Sequence, residues 1–204
     1  MMYFANPTGQ AVHHMRAGEL GYIDTPAQGN ARPDDVVWVA DNGCFTAAFD
    51  EEKWWGWLQR NQRWAGSCRF ATAPDVVGDH AATLVRSAPW LARIKALGYP
   101  AAFVAQDGAT IDAIPWDQFD VLFIGGSTEF KLGDGVRVLV AEAKQRGMWV
   151  HMGRVNSLKR YRYAESIGCD SADGTALVFA PEERLSEVLH WVRTVNTQAG
   201  LFGA

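Results

Sequence analysis

Cysteines are few in this sequence, and long hydrophobic runs are missing. Cys44, Cys68 and Cys169 are far apart and never spaced C-x-x-C, which argues against a disulfide framework or a cysteine-rich zinc module and suits a reducing cytoplasm. No apolar stretch approaches the roughly 20 residues that span a bilayer, and MMYFANPTGQ lacks the basic segment and apolar core of a secretion signal. We therefore expect a cytoplasmic protein that does not contact a membrane.

A strong excess of one charge is also missing. The net charge at pH 7 is −4 over 204 residues, so any nucleic-acid contact has to depend on a local basic patch. The patterns G-x-G-x-x-G and G-x-x-x-x-G-K do not occur, which argues against a nucleotide-cofactor dehydrogenase. Hydrophobic residues make up 48 % of the chain and charged residues 21 %, so we expect one compact domain over 1–204.

Short apolar runs alternate with segments of helical periodicity. The predicted strands cover 3–5, 20–23, 36–40, 69–73, 101–105, 121–124 and 149–152, with an eighth at 167–169. The predicted helices between and after them cover 79–97, 135–146, 157–166 and 181–195. Because parallel strands need crossover connections, eight such units predict an α/β fold, a compact (β/α)8 TIM barrel. A doubly wound open sheet of six or seven strands is the alternative.

Polar residues and glycines follow five successive predicted strands. The endings, in chain order, are DNGCF, PDVVGD, QDG, GGSTEFK and GRVNS. Loops after parallel strands converge around one crevice, so five such endings favour a site, although any one of them suits an ordinary turn. Asp173, after the last predicted strand, would face the same crevice as Asp41. Paired carboxylates in a glycine-lined pocket suit cleavage at an anomeric carbon.

Taken in order, these motifs resemble the tRNA-guanine transglycosylase superfamily. The likeness runs from FANPTG at 4–9 to GCDSADGT at 168–175, a segment similar to the family's G-x-D-M-F-D. DNGCF, FVAQDG, FDVLFIGGSTEFKLG and VHMG look like its D-S-G-G-F, F-G-I-Q-Q-G, F-D-G-x-x-x-G-G and Y-L-M-G segments. The likeness is greatest to the phage DpdA-like branch, which exchanges guanine in DNA for a 7-deazaguanine such as preQ0. It implies the host cytoplasm if the chain is phage-encoded.

The resemblance implies a role for each matching residue. Asp173 would be the nucleophile that attacks C1′ and expels guanine, and Asp41 the acid/base group acting on the departing and arriving bases. Hydrogen bonds to the base edge and stacking select a flipped purine. The resemblance also implies the contacts to the base. Hydrogen bonds to the guanine edge would come from Asp75 and Gln106, and backbone groups at Gly125 and Gly126 would bind the exocyclic oxygen. The faces of the ring would be flanked by Phe45 and Met152.

The sequence departs from the tRNA enzymes after the last motif. Those enzymes carry a C-x-C-x-x-C zinc segment, whereas no cysteine follows GCDSADGT here. We therefore expect a barrel without the zinc-binding subdomain, no metal, no cofactor, and DNA rather than tRNA as partner. Cys44 replaces the second glycine of D-S-G-G-F and would narrow the pocket slightly.

One local basic run is interleaved with tyrosines near the proposed site. It can be a solvated helix face or a phosphate-contacting strip, and the position of Arg154 directly after the seventh strand favours the strip. The candidate nucleic-acid contacts are Arg154, Lys159, Arg160 and Lys131.

Three further positions have structural interpretations. His13 and His14 are expected to form a pair at the surface or core edge, because adjacent helical side chains diverge. Asp170 is expected to orient the last loop. Strand alternation leaves open whether His151 is an inward, hydrogen-bonded histidine or a base contact.

Several functions stay open at this point. The leading hypothesis is DNA guanine exchange, and the alternatives are a compact tRNA-guanine transglycosylase, a non-catalytic DNA-binding barrel subunit, and an unrelated hydrolase of nucleosides or sugars. Retention of both Asp41 and Asp173 argues against a non-catalytic subunit. Because base extrusion costs a few kcal/mol, so small a chain can require single-stranded substrate or a protein partner that opens the duplex.

Overall fold

Eight parallel strands form a closed barrel in the computed structural model, which describes residues 1–29, 31–46, 49–179 and 181–202. The strands pair in chain order, and β1 pairs with β8 to close the ring. They are β1 Met2–Ala5, β2 Gly21–Asp24, β3 Trp38–Ala40, β4 Cys68–Thr72, β5 Ala101–Ala105, β6 Val121–Ile124, β7 Trp149–Met152 and β8 Ser171–Asp173. The predicted TIM barrel is confirmed, and the open-sheet alternative is wrong.

Helices surround the barrel. They are α1 Ala11–Arg16, α2 Glu51–Arg60, α3 His80–Ala96, α4 Thr128–Leu132, α5 Asp134–Gln145, α6 Leu158–Ser166, α7 Ala176–Phe179 and α8 Pro181–Phe202, with 3-10 helices at Gln62–Ser67 and Ile111–Ala113. Side-chain oxygens cap several helix starts by accepting a backbone N–H three residues on; the caps are Asp50, Asp79, Ser127 and Ser157. Within the described ranges, no helix is long and apolar enough to cross a membrane.

The last strand lies later than predicted. Residues 167–169 form the turn after α6, where Gly168 has φ 103°, and the strand itself is Ser171–Asp173. Asp170 lies at the amino end of β8, where its carboxylate accepts hydrogen bonds from Lys144 Nζ (2.7 and 2.8 Å) and Val150 N (2.8 Å). The expectation that Asp170 orients the last loop is therefore wrong, because that loop leaves the opposite end of the strand.

Strand alternation divides the apolar residues into an inner and an outer core. The inner core fills the barrel with Phe4, Ile23, Val39, Phe70, Ala102, Val104, Val121 and Phe123. The outer core packs the strands against the helices and includes Trp38, Phe103 and Met152. On β7, Trp149 and His151 face the inner core, so the next inward position after the strand is Gly153.

Candidate active site

A cavity of about 620 Å³ lies at the carboxyl ends of the strands. Its walls combine four carboxylates, those of Asp41, Asp50, Asp75 and Asp173, with several glycines and aromatic rings, and most of these residues come from loops after the strands. Most of the predicted site residues line it: Asp41, Phe45, Asp75, Gln106, Gly125, Gly126, Arg154 and Asp173. The prediction that the strand endings converge on one crevice is confirmed.

Asp173 is the last residue of β8 and faces into the barrel. Its Oδ1 accepts a hydrogen bond from the backbone N–H of Arg154 at 2.9 Å, and its Oδ2 lies 2.9 Å from Nε2 of His151. Phe4 pairs with Asp173 in the β1–β8 register. Both carboxylate oxygens are thus held in place, and the residue is only 8 % exposed.

Behind Asp173, a chain of hydrogen bonds runs down the barrel. The indole N–H of Trp149 donates to Ser171 Oγ at 2.8 Å, and Ser171 Oγ lies 2.8 Å from Nδ1 of His151. Because Trp can only donate and an ionised carboxylate only accepts, every group is satisfied when the serine O–H donates to Nδ1 and Nε2–H donates to Asp173. His151 is fully buried, so the facing that the sequence left open is inward and hydrogen-bonded.

Arg154 has an uncommon backbone conformation for a residue with a side chain. Its φ is 58°, which turns its N–H toward Asp173. Its guanidinium donates to the carbonyl of Gly126 and lies 5.0 Å above the ring of Phe45, which is 67 % exposed. Arg154 and Phe45 therefore form part of the rim of the cavity.

Asp41 directly follows β3 and lies in the same cavity as Asp173. Burial, together with the negative charge of Asp173, raises the pKa of Asp41 from 3.8 to about 7, although the Gly43 N–H donates to it at 2.6 Å. A carboxyl with a pKa near 7 exists in both protonation states at neutral pH, which suits an acid/base group.

Asp75 is held by two amides. Asn42 Nδ2 donates to Oδ1 at 2.8 Å, and Gln106 Nε2 donates to Oδ2 at 2.5 Å. Gln106 Oε1 accepts the Gly78 N–H at 2.9 Å, which fixes the orientation of the amide. Burial raises the pKa of Asp75 despite these donors. Sequence reasoning missed Asn42, although the D-N-G ending placed it beside Asp41.

The two glycines after β6 differ in what they can donate. The Gly125 N–H is used by the sheet, since it donates to Ala105 O at 2.9 Å. The Gly126 N–H has no acceptor among the described residues, and its φ is 72°. A Cβ at Gly125 would lie 2.9 Å from Gln106 Nε2, so this wall needs glycine. Of these two glycines, Gly126 is the one placed to offer a backbone donor to a ligand.

Several predicted residues lie outside this cavity. Met152 faces the outer core, because it alternates with the inward His151. Lys131 is buried and donates to Gly153 O at 2.8 Å, and burial, followed by the charge of Arg154, lowers its pKa to about 8. Cys44 does not line the cavity, so the expected narrowing there is wrong.

The remaining predicted basic residues belong to α6. Lys159 is exposed, whereas Arg160 is partly buried beside a small secondary pocket that Lys131 and Met152 also line. The structure therefore brings Arg154 to the cavity and leaves the other three basic candidates away from it. His13 lies on the surface, and His14 pairs with Glu19 at 2.5 Å, as expected of a surface pair.

The turn after Asp173 requires a glycine. A Cβ at Gly174 would lie 2.5 Å from both the Tyr3 hydroxyl and the Val155 carbonyl, and nearer still to Asn156. We expect Gly174→Ala to lower the free energy of unfolding by about 1–3 kcal/mol, as overpacking does, and to displace Asp173. Urea denaturation measures the change. The matched control is Gly66→Ala, where a Cβ meets nothing within 4 Å, and an equal effect of both would contradict the steric explanation.

No grouping of three or more His, Cys, Asp or Glu side chains suited to a metal is found in the part of the chain that the structure describes. The cavity carboxylates accept hydrogen bonds from the Asn42 and Gln106 amides, from backbone N–H groups and from the His151 ring.

Comparison with known proteins supports the architecture. No family model and no curated protein matches the sequence. Among solved structures, the chain is similar to one titled "Native KDPGal structure", with TM-score 0.57, 12 % identity, and 98 % of this chain and 96 % of that chain covered. This likeness shows the fold alone.

Two other solved structures are similar to the same degree. Tryptophan synthase from M. tuberculosis gives TM-score 0.55 and 13 % identity over 95 % of this chain and 88 % of that chain. The 3-hexulose-6-phosphate synthase from Salmonella typhimurium gives TM-score 0.54 and 10 % identity over 95 % of this chain and 99 % of that chain. These two likenesses also show the fold alone, and they assign no role to any residue of this chain.

Proposed function

We propose that this protein exchanges guanine in DNA for a 7-deazaguanine base such as preQ0, through a covalent intermediate on Asp173. The observation that carries the proposal is the contrast between two carboxyls of one cavity. Asp41 has a pKa raised to about 7 by burial and by Asp173, whereas both oxygens of Asp173 are fixed by donors. Such a pair supports an acid/base group beside a nucleophile.

The proposed reaction has two displacements at C1′ of a deoxyguanosine. An Asp173 oxygen forms a bond to C1′, the C1′–N9 bond breaks with its electron pair on the base, and protonated Asp41 supplies the proton that neutralises guanine. The incoming base then gives its N9 proton to Asp41 while N9 bonds to C1′ and the ester to Asp173 breaks. Atoms and charge balance, and Asp41 regains its proton.

The hydrogen-bond network around Asp75 supports selection of guanine. Each Asp75 oxygen accepts one protein donor, which leaves lone pairs for guanine N1–H and the exocyclic amine. The N–H of Gly126, which has no acceptor in the part of the chain that the structure describes, suits the exocyclic oxygen. A 7-deazaguanine presents the same edge, whereas adenine would leave these buried groups unpaired, and unpaired buried groups make discrimination steep.

His151 is expected to act as a positioning residue through Asp173. His151→Leu removes the Nε2–H donor, and we expect the exchange rate of the folded protein to fall about 100-fold because the carboxylate loses its orientation. His151→Gln keeps a donor that can reach Asp173 and should recover part of that loss. Equal single-turnover rates for the two variants, measured on protein with the native circular dichroism spectrum, would contradict this role.

Incorporation of labelled base tests the proposed function. Purified protein is incubated with radiolabelled guanine or preQ0 and, separately, with single-stranded DNA, duplex DNA and tRNA. Label in DNA supports the proposal, and label in tRNA alone would identify the compact tRNA enzyme instead. Abasic sites without incorporation would indicate a hydrolase, and no chemistry with intact DNA binding would indicate a non-catalytic subunit.

A further inference from the structure

The cavity continues beyond the carboxylates into a space beside α2. We call this the outer compartment, and its walls are Phe49, Lys53, Trp54, Trp57 and Arg60. Lys53, Trp57 and Arg60 are spaced i, i+4 and i+7, so they lie on one face of the helix. The total volume of about 620 Å³ lies within the roughly 300–1,000 Å³ of sites for drug-sized ligands, which leaves room beyond a single base.

Charge is distributed unevenly between the two parts of the cavity. The inner part holds the carboxylates of Asp41, Asp75 and Asp173, whereas the outer compartment and rim add the cations Lys53, Arg60 and Arg154. Asp50 also lines the cavity, but its carboxylate caps α2 and lies 3.1 Å from Lys53 Nζ, so these two charges offset each other and Arg60 and Arg154 supply the net positive charge of the rim. Arg60 is exposed and has no ion-pair partner among the described residues. Because the cations lie at the outer rim and the carboxylates lie deeper, the cavity suits a ligand that places its phosphates at the rim and its base inside.

The outer compartment also offers unused recognition groups. Trp54 is 1 % exposed, and its indole N–H has no acceptor among the described residues. Trp57 is partly buried, with one ring contact to Trp38 at a centroid distance of 6.3 Å. A buried indole N–H and an arginine that both lack a partner among the described residues, together with the accessible ring of Trp57, favour a planar, acceptor-bearing anion.

We propose that the outer compartment binds the nucleotide adjacent to the extruded guanine on the same strand, with its base against Trp57 and its phosphate at Arg60. This inference depends on the proposed function for the identity of the ligand. Aromatic stacking beside cations that contact the backbone is how proteins bind single strands without reading their sequence. A nucleotide entering base-first leaves its phosphates at the rim, where these cations lie.

Binding of single-stranded DNA tests this inference in an Asp173→Asn background, which prevents turnover. Fluorescence anisotropy follows a labelled hexanucleotide with one guanine between about 50 and 200 mM salt. We expect Arg60→Gln to reduce the slope of log K against log salt by about 0.7, the value for one phosphate contact on a single strand. We expect Trp57→Leu to weaken binding about 5- to 150-fold, the range for loss of one stacked base.

The controls separate this inference from general electrostatics. Arg63→Gln removes an exposed arginine that stacks on Trp64 at 3.7 Å and does not line the cavity, so it should leave the slope unchanged. Binding of free guanine, measured by calorimetry, should be the same in all three variants. Equal slopes for Arg60→Gln and Arg63→Gln, or unchanged binding by Trp57→Leu, would overturn the inference.

The two proposals fail in different ways. If the hexanucleotide binds through Arg60 and Trp57 but no labelled base enters DNA, the exchange reaction is wrong and the outer compartment still binds a strand. If labelled base enters DNA and the outer-compartment variants bind like their parent, the exchange reaction stands and the inference about the compartment is wrong.

Discussion

Asp173→Asn should abolish base exchange, with a loss on the order of 10⁴-fold or more, because removal of a covalent nucleophile leaves only binding and acid/base contributions. We expect the wild-type protein to form a covalent protein–DNA adduct when no incoming base is supplied, and the same substitution should eliminate it. Mass spectrometry of the denatured, digested protein locates that adduct, and we expect it on the peptide that contains Asp173.

The matched control is Asp170→Asn. It changes the same residue type in the same segment, but Asp170 lies at the amino end of β8 and pairs with Lys144. This variant should keep the adduct and most of the exchange rate. An Asp173→Asn protein that exchanges base at the wild-type rate, or an adduct on another residue, would refute the assignment of the nucleophile.

Asp41→Asn should slow release of guanine about 10²- to 10⁴-fold, the usual contribution of a general acid. Because the protonated carboxyl is the active form in the proposed reaction and burial raises the pKa of Asp41 to about 7, the wild-type rate should fall as pH rises through 7. The Asn variant should lose that inflection. Single-turnover kinetics across pH measures both effects, and Asp112→Asn, an exposed position on the 3-10 helix, should keep the wild-type profile.

Stability provides a second test of the same pKa. The folded protein holds the Asp41 proton more tightly than the unfolded chain, whose pKa is near 3.8, so the free energy of unfolding should fall as pH rises from about 4 to 7. Asp41→Asn should remove this contribution. An identical pH dependence of stability in wild-type and variant protein would mean that the pKa is not raised.

The sequence predicted the barrel well where strands are apolar on both sides. The runs at 101–105, 121–124 and 149–152 match the observed strands because buried parallel strands read as continuous hydrophobic stretches. The eighth strand, Ser171–Asp173, was misplaced because two of its three residues are polar, and they face the barrel interior instead of following the usual apolar pattern. Hydrogen bonds to residues distant in sequence allow Ser171 and Asp173 to be buried, and a local sequence pattern cannot predict such bonds.

The sequence predicted which residues form the candidate site better than it predicted which way their side chains face. Strand endings identified Asp41, Asp75, Gln106 and Asp173, because position in a parallel sheet depends on order along the chain. His151 contacts Asp173 because it faces the inside of the barrel, whereas Met152, the next residue on β7, faces the outer core. The sequence of so short a strand does not show which of its two sides faces inward. The burial of Lys131 likewise depends on its contact with Gly153, which is distant in sequence.

The aromatic filling beneath Asp173 has a consequence for side reactions. Phe4, Phe70 and Phe123 surround the buried His151 ring at centroid distances of 6.0, 5.0 and 4.5 Å, which seals the barrel below the carboxylate. In the proposed reaction, solvent would then reach a sugar esterified to Asp173 from the cavity side, by the route that a replacement base would also take. If that reaction is correct, the molecule that occupies this route decides whether the strand receives a new base or is left with an abasic site.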